Sequence, residues 1–509
     1  MEGRLVALAT PIAEVAGGVF ERVWRFLIDP ILATPWGDWS GFWERVVFDD
    51  RLVVIYFLPL VPLLLLFRGD ALRKAIIATS AAFLIYVFGA LYAAFWLVTC
   101  VAFYFIGERF AIEAKRKDVL QIGPPLFAAA TLLGWYYGSV ALLGTNIPTE
   151  TNNWLFEHLP WVFPLPVRLH WPVAFGPMGP APLFATMFYN THNIGMAYFL
   201  VRMLHYFAEI KRGGIAKEER GLLRFVTYAA YAPAMIQGPI ERYPAFQQQI
   251  ETSHERRGFG AVPIAFARIG WGVAKVLIGY WYLFPIAHDV LAIDRPNLLE
   301  QTYYAHPEQI ESFWWLYFGV YVQIYMLYLE FSGYCDVSAG MARLIGYRQV
   351  ENFDWPWFAT SLRDFWRRWH ISLSAMLRDY VYIALGGNRR HTTLNLCLTF
   401  GLCGFWHIPN ISPFMRIWGI ALVMWGVLMG LMLAVNQWWV SWMKRVDERQ
   451  TGVMYAIRRG AARLWPLPQI LAWAITMHFF VHSLLIFFAG PIGARNVYYE
   501  MFRRLWGAG

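Results

Sequence analysis

The chain has 509 residues, of which 58% are hydrophobic and 15% charged, whereas soluble domains carry about 25% charged residues. Its net charge of +9 comes from 43 Lys and Arg against 34 Asp and Glu. That charge sits in short loops beside apolar runs rather than on one soluble face, so the expected partners are membrane lipids and not nucleic acid.

Aromatic residues make up 18% of the chain, as suits two interfacial belts. The composition predicts an all-α polytopic membrane protein. Residues 1–50, interrupted by Glu14, Glu21 and Arg22, read as an N-terminal amphipathic, interfacial extension rather than a cleavable signal peptide. A transmembrane domain is expected over 51–509. Spanning a bilayer takes about 20 apolar residues. Such spans are predicted at 52–67, at 75–106 as two helices broken near Gly89, and at 124–144. A Pro- and Trp-rich stretch follows at 146–182. Further spans centre on 184–207, 222–240, 262–290 and 312–332, the region 354–411 is mixed, and 417–440 and 467–488 close the chain. This amounts to about ten to twelve membrane segments, some short or re-entrant.

Basic clusters at Arg68/Arg73/Lys74, at Lys115–Lys117, at 211–224 and at 444–463 contrast with 146–182 and 291–311, which hold only Arg168 and Arg295. The positive-inside bias places the clusters in the cytoplasm and the two poor loops outside. The four cysteines, Cys100, Cys335, Cys397 and Cys403, form no CxxC pair and read as small core residues, not as a disulfide framework or a zinc site.

One polar island interrupts the oil: "RRWHISLSAMLRDYVYIALGGN", residues 367–388. Pro356 breaks any preceding helix. Ser361 followed by Asp364 forms a capping box, so a helix is predicted to start near Leu362. Arg363 and Arg367 then share a face, and Asp364 can pair with Arg368. His370, Ser374 and Arg378 fall at four-residue spacing, so a continued helix would align them on one stripe. Gly386-Gly387-Asn388 is a stop. The flanking tryptophans Trp355, Trp357, Trp366 and Trp369 read as an interfacial belt.

A second histidine, His407, lies in "TFGLCGFWHIPN". The stretch 395–414 contains no charged residue, which puts this side chain at membrane depth, where an ionisable group marks function. A desolvated imidazole stays neutral at pH 7 and can take a hydroxyl proton as that oxygen attacks an acyl carbonyl. His370 or Asn388 could hold the ring or a developing oxyanion. The competing reading of each histidine is a hydrogen-bonded structural residue.

"FWRRWHISLSAMLRDYVYIALGGN" resembles the signature of bacterial membrane-bound O-acyltransferases of the alginate O-acetylation and teichoic-acid D-alanyl transfer type. "GFWHIPN" occupies the place of the family's histidine motif, and "QGPIERYPAF" (237–246) and "YLEFSGYCDVSAGMARLIGY" (328–347) resemble two more family segments. The matches cover about 230–410, in family order. Ile408 and Pro409 depart from the pattern, which has Gly and a small residue there, and Glu330 stands where relatives often have Asp.

The resemblance implies a ring of tilted helices around a central cavity or tunnel, with His407 and His370 as catalytic residues. Arg363, Arg367, Arg368, Ser374, Arg378 and Asn388 would bind the donor. No tightly bound cofactor is implied. The donor would be an acyl-coenzyme A such as acetyl-coenzyme A, or an acyl-carrier protein, on the cytoplasmic side of a bacterial inner membrane. The acyl group, acetyl first among candidates, would pass towards an exported polysaccharide through an extracytoplasmic acetyltransferase or a polysaccharide-synthesis partner. Transfer of D-alanyl or another small acyl group, acylation of a lipid or small metabolite, and a transporter or flippase are the alternatives.

Overall fold

The computed structural model describes residues 57, 59–88, 90–113, 196–235, 237–283, 286–287, 306–310, 312–407, 416–462 and 464–506. The N-terminal extension, the predicted span at 124–144, the loop at 146–182 and Ile408-Pro409 lie outside the described residues. After the short α1 (Val61–Leu65) come α2 (Gly69–Phe88) and α3 (Ala90–Glu113), with position 89 and the break expected there lying outside the described residues. Then come α4 (Met196–Arg212), α5 (Leu222–Ala229), α6 (Tyr243–Glu251), α7 (Ala261–Ile278) and α8 (Phe313–Leu344). Short helices α9 (Leu362–Arg368) and α10 (Ile371–Leu377) cross the polar island. They are followed by α11 (Thr392–Trp406), α12 (Arg416–Arg449), α13 (Val453–Ala462) and α14 (Leu467–Leu505). Among the described residues, three helical stretches are long and apolar enough to cross a membrane: Ala261–Ile278, Ile420–Arg449 and Leu467–Phe488.

The predicted span at 222–240 is not one. The helix there stops at Ala229, and a 3-10 turn at Ala232–Ala234 follows. Pro233 and Pro239 cannot donate to a helical ladder. The carbonyls freed by the break are taken by a buried guanidinium: Arg202 donates to Tyr228 O at 3.3 Å and to Ala234 O at 2.8 Å. In an apolar setting every such backbone group needs a partner, and Arg202 supplies it from α4.

Two helix pairs frame the site. At about 1.5 Å per residue, the 32 residues of α8 reach about 48 Å, more than a bilayer's hydrocarbon thickness. Its close partner is α7. A Cβ on Gly272 would lie 2.4 Å from Gly333 O, so only glycine lets these backbones meet. Asp336 locks the pair electrostatically, accepting from Arg268 Nε at 2.7 Å and Lys275 Nζ at 2.6 Å. Helices α11 and α12 pack in the same way. A Cβ on Gly404 would stand 2.0 Å from Leu422 O, and one on Gly426 2.0 Å from Phe400 O. In α14, Gly490 takes φ 64° ahead of Pro491. The chain folds back so far there that Tyr498 donates its hydroxyl hydrogen to His482 O at 2.7 Å.

Buried apolar residues gather in two large clusters. One joins α2–α6 with part of α7 and the C-terminal half of α8; the other joins α8, α9, α12 and α14. A small third cluster of Val201, Ile240, Leu373, Met376 and Cys403 ties α4, α10 and α11 together between them. The polar island lies at this junction. The four cysteines are free thiols, three of them buried.

Candidate active site

Ser361 caps α9 as its sequence predicts, its hydroxyl accepting from Asp364 N at 3.2 Å. Helix does not continue to Arg378, however. It ends at Arg368, and His370 adopts the left-handed region at φ 46° before α10 begins. That conformation costs a non-glycine residue about 1–3 kcal/mol and persists only where its surroundings impose it. Here a neighbouring loop does so. Asp354 N donates to Arg368 O, and Ile371 N donates to Asn352 O, both at 2.9 Å, one on each side of the break.

Asn352 also decides the chemistry of the ring. Its Oδ1 accepts from Ser372 N at 3.2 Å, from Ser372 Oγ at 2.8 Å and faces His370 Nδ1 at 3.2 Å. A backbone N–H can only donate, so the atom facing it is the amide oxygen. His370 must therefore carry its proton on Nδ1, which leaves Nε2 with a free lone pair. The Asn352 amide nitrogen donates to Cys335 Sγ at 3.4 Å, and the Ser372 hydroxyl accepts from Ile240 N at 3.0 Å. The family-like segments 237–246 and 328–347 thus converge on one histidine. Phe331 stands edge-on to its ring at 4.8 Å, and Tyr198 stacks at 6.3 Å.

His370 lines a cavity of about 390 Å³. Of the eight residues singled out from the sequence, six border it: Arg363, Arg367, His370, Ser374, Arg378 and Asn388. Arg368 does not. Its Nε is held by Asp364 Oδ1 at 3.1 Å, the predicted i,i+4 pair. His407 is not among the lining residues either. It caps the C-terminus of α11, its N–H donating to Gly404 O at 3.1 Å and its ring edge-on to Phe487 at 5.0 Å.

The cavity wall is electropositive. Among the described residues no carboxylate pairs with Arg363 or Arg367. Arg378 shares Asp379 with Arg242. Burial pushes the Asp379 carboxyl up, but hydrogen bonds from Arg378 and Arg242 outweigh it and hold it below the usual carboxylate range. At the same wall, Asn388 Oδ1 accepts from Tyr382 Oη at 2.5 Å and Gln437 Nε2 at 3.1 Å. Ser374 is turned inward, donating to Trp369 O at 3.4 Å.

Of the four tryptophans, Trp355 is exposed, Trp357 and Trp366 are half-buried and Trp369 is buried. Trp357 stacks on Tyr325 at 4.2 Å, and Trp369 is buried against Phe365 and Phe480. Trp366 lines the cavity edge-on to Phe400, and its buried indole N–H meets no acceptor among the described residues. Asn352, Trp366, Tyr382 and Gln437 are the site residues that sequence reasoning missed. Asn352 stands eighteen positions before His370 across irregular chain, where no periodicity could join them.

A buried histidine in the left-handed region, held by Asn352, thus lies in an arginine-walled cavity between closely packed apolar helices, as in a membrane protein. The family model described as "MBOAT, membrane-bound O-acyltransferase family" matches residues 183–466, and the chain belongs to that family. It is similar to the "Probable alginate O-acetylase AlgI" of Azotobacter vinelandii, 32% identical over 247 residues, covering 48% of this chain and 44% of that one. It is similar also to the peptidoglycan O-acetyltransferase of Helicobacter pylori, 28% identical, covering 52% and 44% of the two chains. To the teichoic acid D-alanyltransferase of Bacillus subtilis it is 24% identical, over 59% and 70%. The matches to the alginate and peptidoglycan proteins span less than half of those proteins.

Proposed function

We propose that the protein is a multi-pass O-acyltransferase of a bacterial inner membrane. It takes an acyl group, acetyl first among candidates, from a cytoplasmic acyl-coenzyme A or acyl-carrier protein. The group passes towards an exported polysaccharide or an extracytoplasmic partner that completes the transfer. The observation that carries this reading is the juxtaposition of His370, its Nε2 lone pair set by Asn352, with the Arg363/Arg367 wall of one cavity. Guanidinium groups bind phosphates bidentately, and coenzyme A presents several. The names of the relatives supply the acyl groups and glycan acceptors under consideration.

In this reading an acceptor oxygen adds to the thioester carbonyl while its proton passes to a neutral imidazole. His370 Nε2 and His407 are the candidate bases, and such help is worth about 10²–10⁴ in rate. The tetrahedral oxyanion is met by N–H donors of the wall, with the guanidinium groups of Arg363 and Arg367 as candidates. The C–S bond then breaks, and the imidazolium returns its proton to the departing thiolate. Arg363, Arg367, Arg378, Ser374 and Asn388 hold the donor. No tightly bound cofactor takes part.

The test is transfer by the purified full-length protein supplied with acetyl-coenzyme A labelled in the acetyl group. Labelled acyl product or released acetate supports the reading. Movement of an intact substrate across sealed vesicles without thioester cleavage would support a transporter instead. Donor reacting only from the outer face of oriented vesicles would overturn the direction. So would impermeant labelling of Lys217→Cys but not Asn153→Cys in intact cells.

A further inference from the structure

A second basic pocket lies away from this cavity, at the N-terminal end of α7. It encloses about 200 Å³ and is lined by Arg256, Arg343 and Arg348 together with Gly260, Ile264 and Gly346. Its frame is firm. Gly346 takes φ +79°, and a Cβ there would lie 2.0 Å from Ser253 O, so only glycine allows the turn after α8 to press on the segment 253–257. Arg256 Nε donates to Gly346 O at 2.8 Å, and Arg257 Nε donates to Ile345 O at 3.1 Å, which stitches the two segments together.

Of the three cations, one is committed and two are not, among the described residues. Arg256 spends its other donors on Thr252 Oγ1 at 2.8 Å and Gln249 O at 2.6 Å. Among the described residues the guanidinium groups of Arg343 and Arg348 have no hydrogen-bond or ion-pair partner. The first amides of α7 are already engaged, Ala261 N with Gly258 O and Val262 N with Phe259 O. Recognition in this pocket therefore falls to the two arginine side chains.

The surroundings decide what kind of anion fits. Ala261–Ile278 is one of the candidate membrane spans, so the pocket lies at its membrane–water boundary. Phe259 is 98% exposed, and Ile264 and Phe266 are each 51% exposed on the same end of the helix. Such side chains face hydrocarbon in a bilayer. The dense arginines at this end place it on the cytoplasmic face. A cavity of about 200 Å³, two guanidinium groups without a partner among the described residues and an apolar flank leading into the membrane match a phospholipid with an anionic headgroup. Basic pockets between transmembrane helices on the cytoplasmic side bind ligands of this class.

We propose that Arg343 and Arg348 bind the headgroup phosphate of an anionic phospholipid in the cleft between α7 and α8, its acyl chains lying along Ile264 and Phe266. The proposal stands apart from the acyl-transfer reading and is read by binding, not by turnover.

The test uses the full-length protein in detergent, with phosphatidylglycerol or phosphatidylcholine added. Retained lipid is measured by native mass spectrometry, and the melting temperature is followed in parallel. Wild type should retain phosphatidylglycerol selectively and melt higher with it. The Arg343→Gln/Arg348→Gln variant should lose affinity on the order of tenfold. Removing two charges elsewhere, by Lys444→Gln/Arg445→Gln, should change little. Equal retention of the two lipids by wild type would overturn the proposal, and this arm needs no variant to fold. Undiminished selectivity in the double variant would overturn it too. So would complete displacement of the lipid by millimolar inorganic phosphate, which would mark a site for a soluble anion.

Discussion

Replacing Asn352 by Ala tests the orientation of His370 directly. Asn352 is 1% exposed, and its Oδ1 serves three donors. The Ser372 hydroxyl can rotate to another acceptor. The Ser372 N–H and His370 Nδ1–H cannot turn away without moving the backbone or the ring. Each buried donor left unpaired costs about 1–3 kcal/mol, so the variant should lose about 2–6 kcal/mol of stability. The ring also loses the contact that fixes its proton on Nδ1. A hydrogen bond of about 1–2 kcal/mol lost from the productive orientation should lower kcat about 5- to 30-fold and, with the donor docked on the arginine wall as proposed, leave donor KM nearly unchanged. Asn352→Asp separates orientation from mere folding. A carboxylate at the same place still accepts from Nδ1 but favours the imidazolium. The acidic limb of the pH–rate profile should therefore move up by about one to two pH units, since a general base fails once protonated. The assays are single-turnover acyl transfer across pH and thermal melting in detergent. An Ala variant that loses stability but keeps wild-type kcat, together with an Asp variant whose acidic limb stays put, would refute the reasoning.

Four further outcomes are expected. His407→Ala should abolish transfer while detergent melting stays near wild type; normal turnover in the purified variant would remove His407 from the mechanism. Arg363→Glu or Arg367→Glu should raise donor KM at least tenfold with a smaller effect on kcat, whereas Arg368→Glu, held outside the cavity by Asp364, should leave KM unchanged. Gly404→Val forces a Cβ to within 2.0 Å of Leu422 O and should cost about 1–3 kcal/mol or more by parting α11 from α12, read as a lowered melting temperature. Asp379, its folded pKa depressed by Arg378 and Arg242, contributes stability that is fully present above its unfolded value near 3.8 and is lost as pH falls further. The melting temperature of wild type should therefore drop below about pH 4, and Asp379→Asn should flatten that drop.

Composition alone is enough to say that this chain is an all-α membrane protein, because few charges and long apolar runs leave no other solvent for it. Local signals read well where the physics is local. Ser361 and Asp364 mark the start of α9, and the Asp364–Arg368 pair follows from helical spacing. The cavity wall was half legible too, since Arg363, Arg367, His370, Ser374, Arg378 and Asn388 lie within one short stretch. What only the tertiary structure decided is whatever depends on distant chain. The apolar stretch at 222–240 looked like a span, and whether it crosses or folds inward hangs on Arg202 reaching its carbonyls from another helix. Four-residue spacing suggested a continuous stripe through His370, but the loop at 352–354 bonds to both sides of the break and turns that residue left-handed. The tautomer of His370 rests on an amide oxygen eighteen residues away, fixed in turn by the N–H of Ser372. Side-chain chemistry and helical period are written into neighbouring residues. Which nitrogen of a ring is free to act is set by hydrogen bonds between segments that meet only when the chain is folded.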